Sequence, residues 1–311
     1  MIKRTLYFGN PAYLSVKHAQ LEIRLPEVEK NTTLPDSFKA SAVKQVPIED
    51  VGVVVLDNKQ ITITQGALSE LLNNNVAVIS CDEHRMPAGL ILPLAGNTTQ
   101  SERFRHQIEA SQPLKKQLWQ QTIQAKIANQ SAVLLQQREL ECGNMQAWTK
   151  QVKSGDSDNL EGRAAAFYWQ NLFGHIPEFH RDREGVAPNN LLNYGYAILR
   201  AVVARSLVGS GLLPTLGIHH HNRYNAYCLA DDIMEPYRPF VDKLVAEIVD
   251  SGIDISKLTT EIKSKLLSIP VLDVIINERR SPLMIAVATT TASLYKCYSG
   301  EIRKIAYPTM E

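Results

Sequence analysis

Leu90-Ile91-Leu92-Pro93-Leu94-Ala95-Gly96-Asn97-Thr98-Thr99 is the stretch at which the chain changes its pattern. Upstream the apolar residues recur with the period of strands. Leu21-Glu22-Ile23-Arg24-Leu25 and Ile61-Thr62-Ile63-Thr64 alternate apolar and polar, as a half-buried strand does. Val51 to Leu56 and Val76 to Ile79 are strand-length runs rich in β-branched residues. Between them, Gly66 to Leu72 reads as one short helix that stops at Asn73-Asn74-Asn75. Glu27 to Ala42 is polar and holds Pro35, which predicts a long loop or hairpin tip.

Downstream, from Arg103 onward, strand signals nearly vanish. Ile123, Ile127 and Leu134 recur at helical intervals. Leu191 to Val208 predicts a helix closed by Gly209 and Gly211 and stopped at Pro214. Phe240 to Val249 and Ile285 to Tyr298 carry the same spacing, and there is no internal repeat or low-complexity tail. The expectation is an α+β chain of two domains. A β-sandwich-like N-terminal domain over residues 1–95 is followed by a linker at 96–102 and a larger all-α catalytic domain over 103–311.

Of the 311 residues 44% are hydrophobic and 21% charged, an ordinary globular balance. The formal net charge of +1 means that a nucleic-acid partner would have to meet a local basic face. Cys81, Cys142, Cys228 and Cys297 form no CxxC motif and read as small apolar residues of a reducing compartment. The N-terminus has no secretory apolar region, and no run approaches the ~20 residues that span a bilayer. Both point to a cytosolic protein without a membrane partner.

Three clusters could carry chemistry. Glu161 precedes the alanine-rich Ala164-Ala165-Ala166-Phe167-Tyr168-Trp169. With Asp158 three residues earlier it reads either as a capping box or as a metal-binding carboxylate in the first turn of a helix. His219-His220-His221 offers imidazoles, but three adjacent side chains cannot all face one site, and such a run can be structural. Asp232 and Glu235 fall on one face of a helical turn, where two acids repel unless a metal or an arginine compensates them. The plain alternative is a helix N-terminus decorated with acids. Pro236 cannot donate to the Asp232 carbonyl, which predicts that this carbonyl is left for another partner. Glu161, His220 and Glu235 together make two carboxylates and one imidazole, a set that suits manganese, tolerates magnesium and is poor for zinc. Such a site fits phosphodiester chemistry. No phosphate-binding Gly-x-x-x-x-Gly-Lys motif is present.

Longer motifs tie the clusters together. They are Asn189 to Arg200, Gly211-Leu212-Leu213-Pro214, Leu216-Gly217-Ile218-His219-His220 and Leu229 to Pro239, with Leu6 to Val16 and Pro47 to Val51 near the start. In combination the chain resembles the CRISPR adaptation integrase, the first and most widespread of the CRISPR-associated proteins, over almost its whole length. The Gly-Ile-His-His and Met-Glu-Pro-Tyr-Arg-Pro forms resemble its type II branch. The resemblance implies a β domain that dimerises and a helical catalytic domain with a glutamate–histidine–acid metal triad. Glu161 matches the glutamate, His220 the histidine (with His219 as the substitute) and Glu235 the second acid, with Asp232 a possible further ligand.

The implied cofactor is a divalent metal, Mg2+ or Mn2+. The implied activity is a DNA integrase/endonuclease that inserts captured fragments into a CRISPR array by 3′-hydroxyl attack on repeat phosphodiesters. Implied partners are double-stranded DNA fragments, CRISPR repeat DNA, a second copy of the chain and the small ferredoxin-like second CRISPR-associated subunit. Type II systems add an effector nuclease and sometimes a DNA-end-binding ring protein. Near the site, Arg163, Arg223, Arg238, Arg279 and Arg280 are candidates for phosphate contacts, although each could equally be a surface or intrahelical charge pair. Tyr168 and Trp169 could stack on bases or simply fill the core. The competing readings are an inactive DNA-binding scaffold and an unrelated metal hydrolase.

Overall fold

The computed structural model describes residues 3–35, 37, 39 and 42–310. The chain divides into two compact units, residues 1–96 and 97–311.

In the first unit, β1 (Arg4–Phe8), β5 (Val51–Leu56), β7 (Ala77–Cys81) and β8 (Pro87–Ile91) form one sheet in the order β1-β5-β7-β8. A second sheet has the order β4-β3-β2-β6, from β2 (Tyr13–Lys17), β3 (Gln20–Arg24), β4 (Lys44–Pro47) and β6 (Thr62–Ile63). Strand β5 pairs in parallel with β1 and β7, and this explains its unbroken apolar run: a central parallel strand is covered on both faces. Leu14, Leu21, Ile48, Val51, Val54 and Val78, from both sheets and the turn between them, share one core with Ala67 and Leu71 of helix α2 (Gln65–Asn73). Thr64 caps α2 by accepting from the Ala67 N–H.

The run Leu90 to Leu94 is thus half strand. Its β8 portion closes a hairpin in which Asp82 accepts the N–H groups of His84 and Met86. Of the predicted loop 27–42, residues 36, 38, 40 and 41 lie outside the described residues, and Pro26–Glu29 forms a single helical turn, α1.

The second unit is helical. Its elements are α3 (Gln100–Ile108), α4 (Gln112–Arg138), α5 (Gly143–Gln151), α6 (Leu160–Phe173), α7 (Asn189–Gly209), α8 (Cys228–Met234), α9 (Arg238–Asp250), α10 (Thr260–Leu266) and α11 (Leu283–Tyr298). Helix α3 already begins within the stretch expected to be linker. Two long helices, α4 and α7, run through this core and receive most of the others, while α3 packs on α11. Gly195 of α7 allows α9 close, since a Cβ there would lie 2.6 Å from Val241 Cγ1. After α7 the chain turns at Gly211, whose φ of 72° suits glycine; its N–H donates to the Val208 carbonyl and that of Leu212 to Leu207.

The unit is not all-α. Strands β9 (Asp273–Ile276) and β10 (Arg279–Pro282) form a hairpin around Asn277-Glu278, both with positive φ. Four-residue strands are too short to display a period, and Asn-Glu is not the Asn-Gly pair that usually marks such a turn. Cys142, Cys228 and Cys297 are buried and Cys81 is half-buried in β7. Among the described residues no helix is long and apolar enough to cross a membrane.

Candidate active site

Glu161 lies in the first turn of α6, but not as a capping residue. Asp156 caps this helix: its carboxylate accepts the N–H groups of Leu160 at 2.9 Å and Glu161 at 3.0 Å. Asn159, in the left-handed region, accepts from Gly162. Asp158, the expected cap, instead pairs with Lys153 at 2.7 Å. With the helix end satisfied by others, the Glu161 carboxylate is directed away from it and meets the Lys126 ammonium at 2.6 Å.

Glu235 comes from a different element. Helix α8 ends at Met234 and continues as a tight turn, Glu235–Tyr237, before α9. The Glu235 N–H closes this turn onto the Asp232 carbonyl, so that carbonyl is not free as Pro236 had suggested. The turn is pinned to α4 by Asn129, whose amide donates to the carbonyls of Pro236 (2.8 Å) and Pro308 (3.1 Å) and accepts from Met310. So held, the buried Glu235 carboxylate lies 2.7 Å from Lys126 Nζ and 3.0 Å from Arg238 Nε. Burial pushes this carboxyl up, but the adjacent Arg238 and Lys126 outweigh it and hold it below its ordinary range. Burial likewise pulls the Lys126 ammonium down, and the two glutamates reverse that and leave it raised.

His220 is oriented by Asp232. This fully buried carboxylate accepts the N–H of Ile218 at 2.7 Å and of His219 at 2.9 Å, and accepts a hydrogen bond from His220 Nδ1–H at 2.5 Å. Asp232 is therefore committed to the loop and is not placed as a further ligand. It fixes the tautomer of His220, leaving Nε2 as the nitrogen with a lone pair, and the hydrogen bond raises the imidazole's pKa. The side chain is 44% exposed, hence reachable from solvent. Gly217 makes this loop possible, because a Cβ would sit 2.3 Å from the His220 carbonyl and 2.8 Å from Asp232. Gln107 holds the preceding segment through the backbone of Leu213 and Leu216. His219 lies flat on Trp119 of α4, with ring centroids 4.2 Å apart, and its pKa is lowered by burial and by His220; His221 is exposed.

The arginines separate into groups. Arg238 is half-buried, pairs with Glu235 and stacks over Tyr196 at 4.7 Å. Its Nε faces the Glu235 carboxylate, so the side chain braces Glu235. Arg163 and Arg223 are exposed, the former over Trp148 and the latter against Tyr224. Arg279 and Arg280 are exposed on β10, where Arg280 lies 3.9 Å from Asp273. Among the contacts of the described residues none links that hairpin to Glu161, His220 or Glu235. Tyr168 is core: it is fully buried and donates to Asp242, while Trp169 is half-buried against Phe173 and Phe179. Asp242 also accepts from Tyr196, and burial raises its carboxyl to about 7.

Sequence reading missed Lys126 and Trp119. Both are buried on α4, on the stripe Trp119, Thr122, Lys126, Asn129. The available signal was a lysine between Ile123 and Ile127 of an apolar stripe, since a buried lysine requires partners. Among the described residues no three side chains stand as a ready-made metal cluster. The donors nonetheless suit a divalent cation: two carboxylates meet one positive charge, beside an imidazole aimed by a carboxylate.

Residues 6–268 match the family model for CRISPR-associated protein Cas1. A CRISPR-associated endonuclease Cas1 of Neisseria meningitidis serogroup C is 37% identical over 268 residues, 86% of this chain and 83% of that protein. The chain belongs to the Cas1 family. Solved structures share the fold of this Cas1-family chain. A casposase bound to an integration product superposes with a TM-score of 0.76 at 21% identity, over 98% of this chain and 92% of the other. A CAS1 protein from Thermotoga maritima gives 0.71 at 15% identity, over 99% and 100%.

Proposed function

We propose that this Cas1-family chain is a metal-dependent DNA integrase/endonuclease that joins captured DNA fragments to a CRISPR repeat. The observation that carries this reading is the meeting of Glu161, from α6, and Glu235, from the turn after α8, on one cationic position, within electrostatic reach of the Asp232-oriented His220. Such a set suits phosphoryl chemistry, and the activity named for the Neisseria relative is nucleolytic.

Glu161, Glu235 and His220 Nε2 would hold Mg2+ or Mn2+, which supplies positive charge at the phosphodiester under attack. The protein's own residues do the rest. Asp232 keeps His220 in the tautomer that presents Nε2. Arg238 restrains Glu235 from one side, and the Asp156 cap keeps α6, and with it Glu161, in place. Exposed Arg163 and Arg223 would contact phosphate oxygens; Arg279 and Arg280 would do so only for DNA that extends to the hairpin.

In the joining step the 3′-hydroxyl of the fragment attacks a repeat phosphorus in line. The new P–O bond forms as the bond to the repeat's 3′-oxygen breaks, and the attacking hydroxyl's proton is balanced by one taken up by the departing oxygen. One phosphodiester replaces another, so no nucleotide is consumed. Water as nucleophile gives endonuclease activity at the same site.

The β unit would form the dimer. The small second CRISPR-associated subunit would bridge two dimers; a structure of similar fold is a Cas6-RT-Cas1–Cas2 complex. An effector nuclease and an end-binding ring protein would join in a type II setting, in the cytoplasm.

The test is strand transfer. Labelled fragments and a repeat-bearing plasmid are mixed with the protein, with and without its partner subunit, in Mn2+, Mg2+ or EDTA. Joining that needs metal and is lost in Glu161→Ala and His220→Ala is the expected result. DNA binding without joining under any metal would leave the inactive scaffold in its place.

A further inference from the structure

Lys126 Nζ stands 2.6 Å from Glu161 Oε1 and 2.7 Å from Glu235 Oε2, on a side chain only 10% exposed. Two carboxylates, one buried and one half-buried, brought this close repel each other unless a cation stands between them. Arg238 does not serve both, because the carboxylate it pairs with is that of Glu235. The ammonium is not there by chance of a flexible surface chain. It leaves the middle of α4, and one turn further on Asn129 ties the same helix to the Glu235–Tyr237 turn. The backbone that carries Lys126 and the backbone that carries Glu235 are thus fastened together, with the ammonium pressed into the gap between the acids.

We propose that Lys126 is a resident counter-ion that a divalent cation must displace from Glu161 and Glu235, so that this lysine sets the affinity of the site for metal. The inference rests on the metal reading given above. An ammonium and a divalent cation carry the same sign and compete for the same oxygen lone pairs, so both cannot occupy the gap. Until metal arrives, Lys126 holds the acids side by side and keeps the buried Glu235 from facing the half-buried Glu161 uncompensated. Metal entry must break a charge-assisted hydrogen bond to Glu161 and an ion pair to Glu235, and that cost is subtracted from the intrinsic affinity. The same residue therefore preorganises the site and weakens it.

The experiment titrates Mn2+ alone into full-length protein, following free Mn2+ by electron paramagnetic resonance, with melting curves in parallel. Lys126→Met removes the ammonium and keeps the stem. It should bind Mn2+ about tenfold or more tightly than the parent, the loss of one charge-assisted hydrogen bond and one buried ion pair being worth at least that. It should also melt lower without metal and gain more from Mn2+. Lys126→Arg spreads a fixed fork across the acids and should weaken Mn2+ binding. Unchanged or weaker binding in a folded Lys126→Met protein overturns the inference. If that variant does not fold without metal, unchanged Mn2+ affinity in Lys126→Arg overturns it instead. Glu161→Ala separates the two levels. Uptake lost in Glu161→Ala but unmoved by both Lys126 variants rejects the counter-ion role alone. No uptake by the parent, or uptake indifferent to Glu161→Ala, rejects the metal reading and the counter-ion with it.

Discussion

Asp232 accepts a hydrogen bond from His220 Nδ1–H at 2.5 Å while the same carboxylate accepts the backbone N–H groups of Ile218 and His219. One buried acid therefore shapes the loop and aims the imidazole at its tip. Asp232→Asn removes the charge and one acceptor oxygen. Mn2+ affinity should fall about 10- to 100-fold, the usual cost of losing a residue that orients a metal-binding histidine. Calorimetric titration against the parent protein checks this; parent-like affinity would show that His220 needs no orienting acid.

Gly217→Ala tests the same loop through sterics. Its Cβ would press on the His220 carbonyl at 2.3 Å, and that backbone oxygen cannot move without carrying His220 with it. A loss of about 1–3 kcal/mol in urea denaturation is expected, as for other overpacked sites, together with impaired strand transfer.

Glu161 and Asp156 should behave in opposite ways, since the cap and the chemistry belong to different residues. Asp156→Ala removes the acceptor for two helix N–H groups and should cost about 1–2 kcal/mol of stability. Glu161→Ala should abolish joining at a smaller cost in stability, because Lys126 keeps Glu235 as a partner. Denaturation and strand transfer measured on both variants decide it.

Asp242 should leave a signature in the pH dependence of stability. In the unfolded chain its proton leaves near the ordinary aspartate value, whereas in the fold burial holds the proton up to about 7. Between those limits the folded state carries the extra proton, so stability falls as pH rises toward 7 and is level above it. The whole effect is about 4 kcal/mol at most for a shift of this size. Urea midpoints at pH 5 and pH 8 should differ less in Asp242→Asn than in the parent.

Among the arginines, Arg223→Ala and Arg163→Ala should each weaken DNA binding across sequences and reduce the salt slope by about one. Arg238→Ala should lower the melting temperature first, because it strips one of two cations from a buried glutamate. Filter binding across a salt series, set beside melting curves, separates these roles.

The sequence by itself determined the two-part architecture and most elements of the helical unit. Strand and helix periods are local properties, visible wherever a run is long enough, as in Val51 to Leu56 or Leu191 to Val208. The β9–β10 hairpin escaped because its strands are too short to show a period. Glu161, His220 and Glu235 were legible as candidates from motif and residue type, yet their meanings were not. Whether Glu161 caps a helix depends on Asp156 and Asn159 outcompeting it for the same N–H groups. Whether Asp232 binds metal or histidine depends on the loop that Gly217 lets fold back over it. Only tertiary structure decided these, and only it put Lys126 of α4 between two acids from distant helices. A pairing of charges across helices leaves no periodic trace in a sequence; it exists once packing has removed the water that would otherwise have kept them apart.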